Sequence, residues 1–195
     1  YISMVIKRRI CKMLEHQLIM HCSPTLAGIK TANLFNYTFT LIDDLMLQVN
    51  ALNKKLNSKG IHIEVLRIQD SRALILTYRP KNMTVDLSKD GVSDFLKRYG
   101  YTFISAEYAL HKLKKRLSRQ CDFPHEIGLF LGYPLEDVIG FIKNKGKNCK
   151  CTGCWKVYGN KHRTLKLFEQ YKKCTDIYSK LFADGYSIMQ LIVAA

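Results

Sequence analysis

Residues 61–78, IHIEVLRIQDSRALILTY, decide how the chain is expected to fold. Apolar and polar residues alternate over 61–68, and an apolar run fills 73–78; both patterns are typical of β-strands. The polar residues 69–72 between them predict a short hairpin loop. Because such a hairpin cannot bury its apolar side chains alone, the rest of the chain must supply elements that cover it.

Helical patterns flank this hairpin on both sides. Apolar residues recur at every third or fourth position, and the ends are marked by Pro and Gly, which predicts helices at 5–21, 23–35, 41–57, 91–98, 105–119, 124–132, 134–144 and 161–183. Further strands are predicted at 155–158 and 187–193. This order predicts an α/β or α+β fold in which a sheet of about four strands packs with several helices. We expect a single globular domain over 13–195, preceded by an uncertain N-terminal extension over 1–12.

The composition is that of a folded, cationic protein. Apolar residue types make up 47% of the 195 residues, which excludes a mostly disordered chain. Lys and Arg number 31 against 16 Asp and Glu, so the formal net charge is +15. No apolar run approaches the roughly 18 residues that a membrane span requires. The first residues also lack the charge order of a secretory signal, and we therefore predict a cytoplasmic protein without membrane association.

The cysteine content favours reduced thiols over disulfides. The chain has 7 cysteines, an odd number in a chain long enough to build its own core, whereas secreted disulfide frameworks are usually short and even-numbered. Residues 149–154 have the spacing C-x-C-x-x-C, and a turn there would let these thiolates reach one soft metal ion, with Cys174 or His162 as a further ligand. Zinc, an iron–sulfur cluster, redox-active thiols and cysteines without a chemical role are all open at this point.

Residues 21–30, HCSPTLAGIK, suggest a different kind of thiol site. Ser23 followed by Pro24 predicts the start of the helix at 23–35. Cys22 would then lie beside free backbone N–H groups, which lower the pKa of a thiol and attract anions. The segment also offers anion-binding side chains in Ser23, Thr25 and Lys30. The alternative is plain helix capping, with Cys22 as a small buried apolar residue.

The phrase FPHEIGLFLGYP at 123–134 places His125 beside Glu126 at a predicted helix start. A neighbouring carboxylate can tune an imidazole as a general acid or base, so these two residues are a candidate catalytic pair. The spacing is not that of the H-E-x-x-H zinc motif, because Leu129 stands where the second His would be. The alternative is an ordinary first helical turn in which Glu126 interacts favourably with the helix dipole.

Residues 143–173 carry the densest positive charge of the chain. They hold ten basic side chains against Glu169 alone. Trp155 and other aromatic residues are interleaved with them, as in proteins that stack on nucleic acid bases. A second basic cluster lies at 112–119. We expect these residues to bind nucleic acid or an acidic protein with salt-dependent affinity, the alternative being a solvated lysine surface.

Four phrases together resemble one protein family: residues 21–30, 123–134, 151–158 and 191–195. The family comprises proteins of similar length from clostridia and related anaerobes and is known only as a domain of unknown function. The resemblance runs from about residue 13 to the end and implies a bacterial, cytosolic, single-domain protein, without naming a reaction. The occurrence of members near flavodoxin and ferrous-iron transport genes favours redox or iron physiology.

The family phrases mark individual positions of this chain as candidates: Cys22, Pro24, Lys30, His125, Glu126, Tyr133, Trp155, Lys156 and Tyr158. Among them, Lys156 joins the anion-binding residues, and the three aromatic residues Tyr133, Trp155 and Tyr158 are candidates for stacking on a partner or ligand. The third phrase begins at Cys151 and leaves Cys149 outside. The resemblance therefore leaves Cys22, Cys151 and Cys174 as individual candidates, and we take Cys151, Cys154 and Cys174 as the candidate metal ligands.

Two functions of different class follow. The first is a redox- or metal-associated protein of iron physiology, in which Cys22 is a thiolate and His125 with Glu126 is an acid–base pair. The second is a basic binding module for nucleic acid or for an acidic partner such as a flavodoxin. Standard nucleotide-binding loops and the hydrolase nucleophile motif are absent from the sequence. The sequence does not decide whether the protein is an enzyme.

Overall fold

The structure is a computed structural model that describes residues 2–102, 105–119 and 122–194, with side chains from Met13 onward. Its helices are α1 (Ile2–Leu26), α2 (Ile42–Leu56), α3 (Pro80–Leu87), α4 (Val92–Lys97), α5 (Ala106–Arg119), α6 (Ile127–Phe130), α7 (Leu135–Lys143), α8 (Lys161–Ala183) and α9 (Ile188–Leu191). Its strands are β1 (Ala32–Thr38), β2 (His62–Gln69), β3 (Arg72–Tyr78), β4 (Cys151–Thr152) and β5 (Lys156–Val157).

The chain divides into two compact units. The first unit comprises residues 1–79 and 174–195, and the second comprises residues 80–173. Among the described residues the sheets contain three and two strands, so the mixed helix and strand class is confirmed but a single sheet of about four strands is not. The single domain over 13–195 stays a prediction. None of the helices in the described ranges is long and apolar enough to cross a bilayer.

The predicted hairpin forms the middle of the first unit. Strands β2 and β3 pair antiparallel, with Gln69 opposite Arg72, and the turn between them places Asp70 at a φ of 53°. β1 pairs with the other edge of β3, so the sheet has the order β1-β3-β2. The side chains of β3 are buried from Ala73 to Tyr78 because it is the central strand. An apolar core from α1, α2, α9 and the sheet covers it, including Leu18, Leu52 and Ile75.

The helix predicted at 23–35 is wrong. α1 continues through Pro24 to Leu26, and the Ser23 hydroxyl donates to the Ile19 carbonyl inside the helix rather than capping a new one. Gly28, at a φ of 78°, lies in the turn that follows. Residues 32–38 then extend, because pairing with the free edge of β3 satisfies their backbone groups. The backbone of residues 2–12 continues α1, and their side chains lie outside the described part.

The strand predicted at 187–193 is also wrong. Ser187 and Gln190 form a capping box that starts the short helix α9, which satisfies backbone donors locally. Ile188, Leu191 and Ile192 still enter the apolar core of the first unit. The apolar pattern of this segment therefore indicated burial correctly, but it did not distinguish a strand from a single helical turn.

The second unit is built from shorter elements. It contains helices α3 to α7, the first part of α8 and a small hairpin in which β4 and β5 pair antiparallel, Cys151 opposite Val157. α3 was not predicted, and the helix expected at 124–132 is confined to the four residues of α6. A small aromatic and apolar cluster around Trp155, Val157 and Tyr171 packs behind the hairpin.

Candidate functional site

Basic side chains are concentrated in residues 143–173 of the second unit, and we call these residues the basic segment. The following are exposed: Lys143, Lys145, Lys147, Lys150, Lys161, Arg163, Lys166, Lys172 and Lys173. Lys156 is half-buried, and Glu169 is the one carboxylate in the segment. Charge of this density and exposure attracts anionic surfaces over a distance of about the Debye length.

The face that α8 turns to solvent is set by its helical period. Thr164 and Tyr171 are buried, and residues three to four positions apart share a face. His162, Lys166 and Lys173 fall on the opposite side of the helix and are exposed. The outward face of α8 in the basic segment therefore carries His162, Lys166 and Lys173 together with the single carboxylate Glu169.

The aromatic residues interleaved with this charge pack inward. Trp155 is 8% exposed; the Tyr133 ring stacks on it with a centroid distance of 4.4 Å, and the Phe168 ring meets it edge-on at 4.6 Å. The Tyr158 hydroxyl donates to the Lys147 carbonyl at 2.9 Å, and a Cβ at Gly140 would overlap the Tyr158 ring. The candidate stacking residues are thus engaged in packing within the protein.

Asp137 organises this region, and sequence reasoning missed it. Its carboxylate is 2% exposed and accepts three hydrogen bonds at 2.7 Å, from the Trp155 indole and from the backbone N–H groups of Tyr158 and Gly159. These contacts attach the β5 end of the hairpin to the first turn of α7. The sequence shows only an acidic residue near a helix start, which is common at that position.

Two lysines of the basic segment hold the backbone of the hairpin. Lys150 Nζ donates to the Gly159 carbonyl at 2.6 Å, and Lys156 Nζ donates to the Gly146 carbonyl at 2.7 Å. The ammonium group predicted to bind an anion at Lys156 therefore has a structural partner. The other cations of the segment remain the ones that a partner would meet first.

The predicted His125–Glu126 pair borders a cavity of about 400 Å³, the Pro-His-Glu cavity, whose lining includes Tyr99, Arg116, Phe123, His125, Glu126 and Ile142. Glu126 is 1% exposed, and its Oε1 contacts Arg116 Nε at 2.6 Å and accepts a hydrogen bond from the Tyr101 hydroxyl at 3.2 Å. Burial, and then the Glu126 charge, raise the pKa of Tyr101. His125 is exposed, and its ring lies edge-on to the Phe141 ring at 4.8 Å. The carboxylate is thus paired with an arginine and a tyrosine.

Cys22 does not lie at a helix start, because α1 runs past it. The thiol is fully buried, and burial raises its pKa to about 12, an effect that Thr77 and Lys30 only partly offset. Its neighbours serve the fold: Thr25 donates to the Asn33 side chain at 2.7 Å, and Lys30 Nζ donates to the Ala32 carbonyl. The premise of an activated thiolate at a helix N-terminus is wrong.

The other cysteines predicted as metal ligands differ in burial and in the unit to which they belong. Cys154 is exposed, and Cys151 packs partly buried against the Trp155 cluster. Cys174 belongs to the first unit, and burial raises its pKa to about 11. Within the described residues, no three His, Cys, Asp or Glu side chains come together in a way that could hold a metal ion. The side chains of Cys11 and Cys121 lie outside that part of the chain.

Comparisons with known proteins identified a family for this chain but no individual relative. Searches of curated proteins and of solved structures gave no match. The family described as protein of unknown function DUF3793 matches residues 18–192, which is nearly the whole chain. The family resemblance expected from the four sequence phrases is thereby confirmed. The chain belongs to the DUF3793 family.

Proposed function

We propose that the protein is a binding module whose basic segment docks an acidic partner protein, such as a flavodoxin. The observation that carries the proposal is the exposed, nearly unopposed charge of residues 143–173. Complementary charge accelerates encounter and selects partners, and it requires no deep pocket. A cytoplasmic location, where such partners are found, is part of this proposal.

The same residues favour a protein partner over nucleic acid. The basic segment contains nine lysines and Arg163 alone, and lysine lacks the planar fork that reads guanine edges. Its aromatic rings are packed against one another, so they are not available as a platform for unpaired bases. Lysine ammonium groups on flexible side chains can pair with carboxylates in many geometries. A carboxylate-rich protein face therefore suits them, because many weak ion pairs together contribute to binding.

The redox- or metal-associated function stays a prediction, and two features make it the weaker of the two. Cys22 holds its proton far above neutral pH because it is buried, so it is not poised as a nucleophile. The Glu126 carboxylate contacts Arg116 and Tyr101 through Oε1, and among the described residues no hydrogen bond joins it to His125. The proposed docking needs neither residue.

The test measures binding of the full chain to three probes: an acidic flavodoxin, a short DNA duplex and single-stranded RNA. Each affinity is measured at about 50 and about 200 mM salt, a range over which charge-driven binding weakens strongly. The variant is Lys166→Glu with Lys173→Glu on the outward face of α8. The matched control is Lys54→Glu with Lys55→Glu, which reverses two exposed lysines of α2 in the first unit.

We expect salt-sensitive binding to flavodoxin that falls about tenfold or more in the α8 variant and much less in the control. Tight binding to the duplex or the RNA, with none to the acidic protein, would replace the proposal by a nucleic-acid module. Binding that ignores both salt and the α8 charges, or the lack of binding to every probe, would overturn it.

A further inference from the structure

We infer that the Pro-His-Glu cavity binds a small molecule through a carboxylate or phosphate group held by Arg116. The inference is separate from the proposed docking, because none of the residues that line the cavity lies in the basic segment. A volume of about 400 Å³ is sufficient for a compact organic ligand, since ligand sites range from roughly 300 to 1,000 Å³.

The cavity combines apolar walls with a small number of convergent polar groups. Phe123 and Ile142 supply apolar surface, and Tyr99 supplies an aromatic ring. Arg116 and His125 supply hydrogen-bond donors from two different parts of the second unit. This composition is typical of small-molecule sites, in which apolar contact gives affinity and a few polar groups fix orientation.

Two contacts fix the orientation of the Arg116 guanidinium. Its Nε lies 2.6 Å from the buried Glu126 Oε1, and its Cζ lies over the Tyr99 ring, 5.3 Å from the ring centroid. Tyr101 donates to the same Oε1 and so holds the carboxylate in place from a second side. Because the guanidinium is already held at one edge and on one face, it loses little side-chain conformational entropy when a ligand binds.

These contacts leave the terminal edge of the guanidinium for a ligand. Across the described residues, no acceptor receives a hydrogen bond from either Nη atom of Arg116. The two Nη groups form the planar fork that matches the two oxygens of a carboxylate or phosphate. Because the Arg116–Glu126 pair carries no net charge, its Nη groups offer an oxyanion directional hydrogen bonds rather than an uncompensated positive charge.

The surroundings favour an anion over a cation. Helix α5 carries four further cations besides Arg116, against Glu107 alone: Lys112, Lys114, Lys115 and Arg119. Asp122 on the cavity wall opposes them with one negative charge. The exposed His125 imidazole provides a second donor at the rim. A ligand with an oxyanion at Arg116 and an apolar or aromatic body against Phe123 complements the cations and the apolar wall, while Asp122 opposes it with one negative charge.

The test titrates the full chain with inorganic phosphate, benzoate and phenyl phosphate. Binding is followed by calorimetry and by the NMR signals of the Arg116 Nε–H and the His125 ring. Benzoate and phenyl phosphate share an apolar ring and differ in the oxyanion, so their comparison identifies the group that the site prefers. Phosphate alone tests whether the apolar wall adds affinity.

The variant is Arg116→Lys, with Arg119→Lys as its matched control on the same helix. Lysine keeps the charge beside Glu126 but lacks the fork, so we expect Arg116→Lys to weaken binding of the preferred probe about tenfold or more. Arg119 is exposed and does not line the cavity, so its variant should change the affinity less than twofold.

Equal affinity in wild type and Arg116→Lys would overturn the inference. If Arg116→Lys fails to fold, the wild-type NMR signals decide, since a bound oxyanion must shift the Arg116 Nε–H resonance. The absence of any shift with all three probes at millimolar concentrations would also overturn it. None of these outcomes depends on flavodoxin binding, so the docking proposal and this inference can fail separately.

Discussion

Arg79 in the first unit and Asp137 in the second are both 2% exposed, and each makes three hydrogen bonds to other groups of its own unit. Arg79 donates to the carbonyls of Thr25, Leu26 and Val193 at 2.7–2.8 Å. Asp137 accepts from the Trp155 indole and from two backbone N–H groups, all at 2.7 Å. One residue is therefore a buried donor of hydrogen bonds, and the other is a buried acceptor.

The two residues differ in what surrounds their bonds. Around Arg79 the carbonyls have further donors: Gly28 N–H bonds to Thr25, and Val193 N–H bonds to Leu26. An extensive apolar core lies in the same unit. Asp137 lies in the first turn of α7, but the strands that it contacts are two residues each and the apolar cluster beside them is small. The comparison teaches that a buried charge matters most where the surrounding structure provides few alternative contacts.

The largest expected effect is that of Asp137→Ala. The change leaves three buried donors without an acceptor, and we expect a loss of about 3 kcal/mol or more in the free energy of unfolding. Trp155 is the only tryptophan of the chain, so its fluorescence during denaturant unfolding reports directly on this site. Glu136→Ala, at the exposed neighbouring position, is the control and should cost less than about 0.5 kcal/mol. Similar losses of unfolding free energy in both variants would contradict the claim that the Asp137 hydrogen bonds stabilise this hairpin.

A smaller effect is expected for Arg79→Met. Methionine fills part of the space, and two of the three carbonyls keep a second donor, so we expect a loss of about 1–2 kcal/mol. Burial also lowers the pKa of Arg79, because removal from water disfavours the charged guanidinium. The measurement is far-UV circular dichroism during denaturation, with exposed Arg72→Met as the control. A loss larger than that of Asp137→Ala would reverse the comparison.

The smallest effect concerns Cys22, a buried group of the first unit that remains neutral. The folded thiol has a pKa of about 12 against an ordinary 9.0, so between these values the unfolded state has released a proton that the folded state keeps. The Cys22 thiol makes its full contribution to the free energy of unfolding below pH 9. Above pH 9 this contribution falls by about 1.4 kcal/mol per pH unit. We expect the unfolding free energy of wild type to fall more steeply than that of Cys22→Ala from pH 9 to 10. Parallel curves would contradict the buried, neutral thiol.

Local patterns predicted the elements whose signals lie within a few residues. The hairpin of β2 and β3 followed from alternation and a polar turn, and α2 followed from apolar spacing and from Gly60 as its stop. The helix predicted at 161–183 matches α8 at both ends, and the one predicted at 105–119 matches α5 except that α5 begins one residue later. In each case the residues that determine the structure are sequence neighbours.

The candidate site was predicted in part. The charge of residues 143–173 is a property of the sequence, and its exposure on the outward face of α8 follows from helical periodicity. The roles expected of Trp155 and Lys156 did not follow, because their partners at Asp137 and Gly146 are ten or more residues away. Arg116 was seen only as one of several basic residues, since nothing nearby in sequence shows its contact with Glu126.

The sequence by itself determined the mixed fold class, the strands of the hairpin, the longer helices and the strong positive charge, because each depends on local periodicity or on composition. Only the tertiary structure decided that residues 32–38 are a strand, that Cys22 is buried and that Asp137 holds the second hairpin. Each of these depends on a partner far along the chain: the free edge of β3, the packed sheet above α1, and the indole of Trp155. Backbone pairing and burial at such distances are set by packing, which local propensity does not encode.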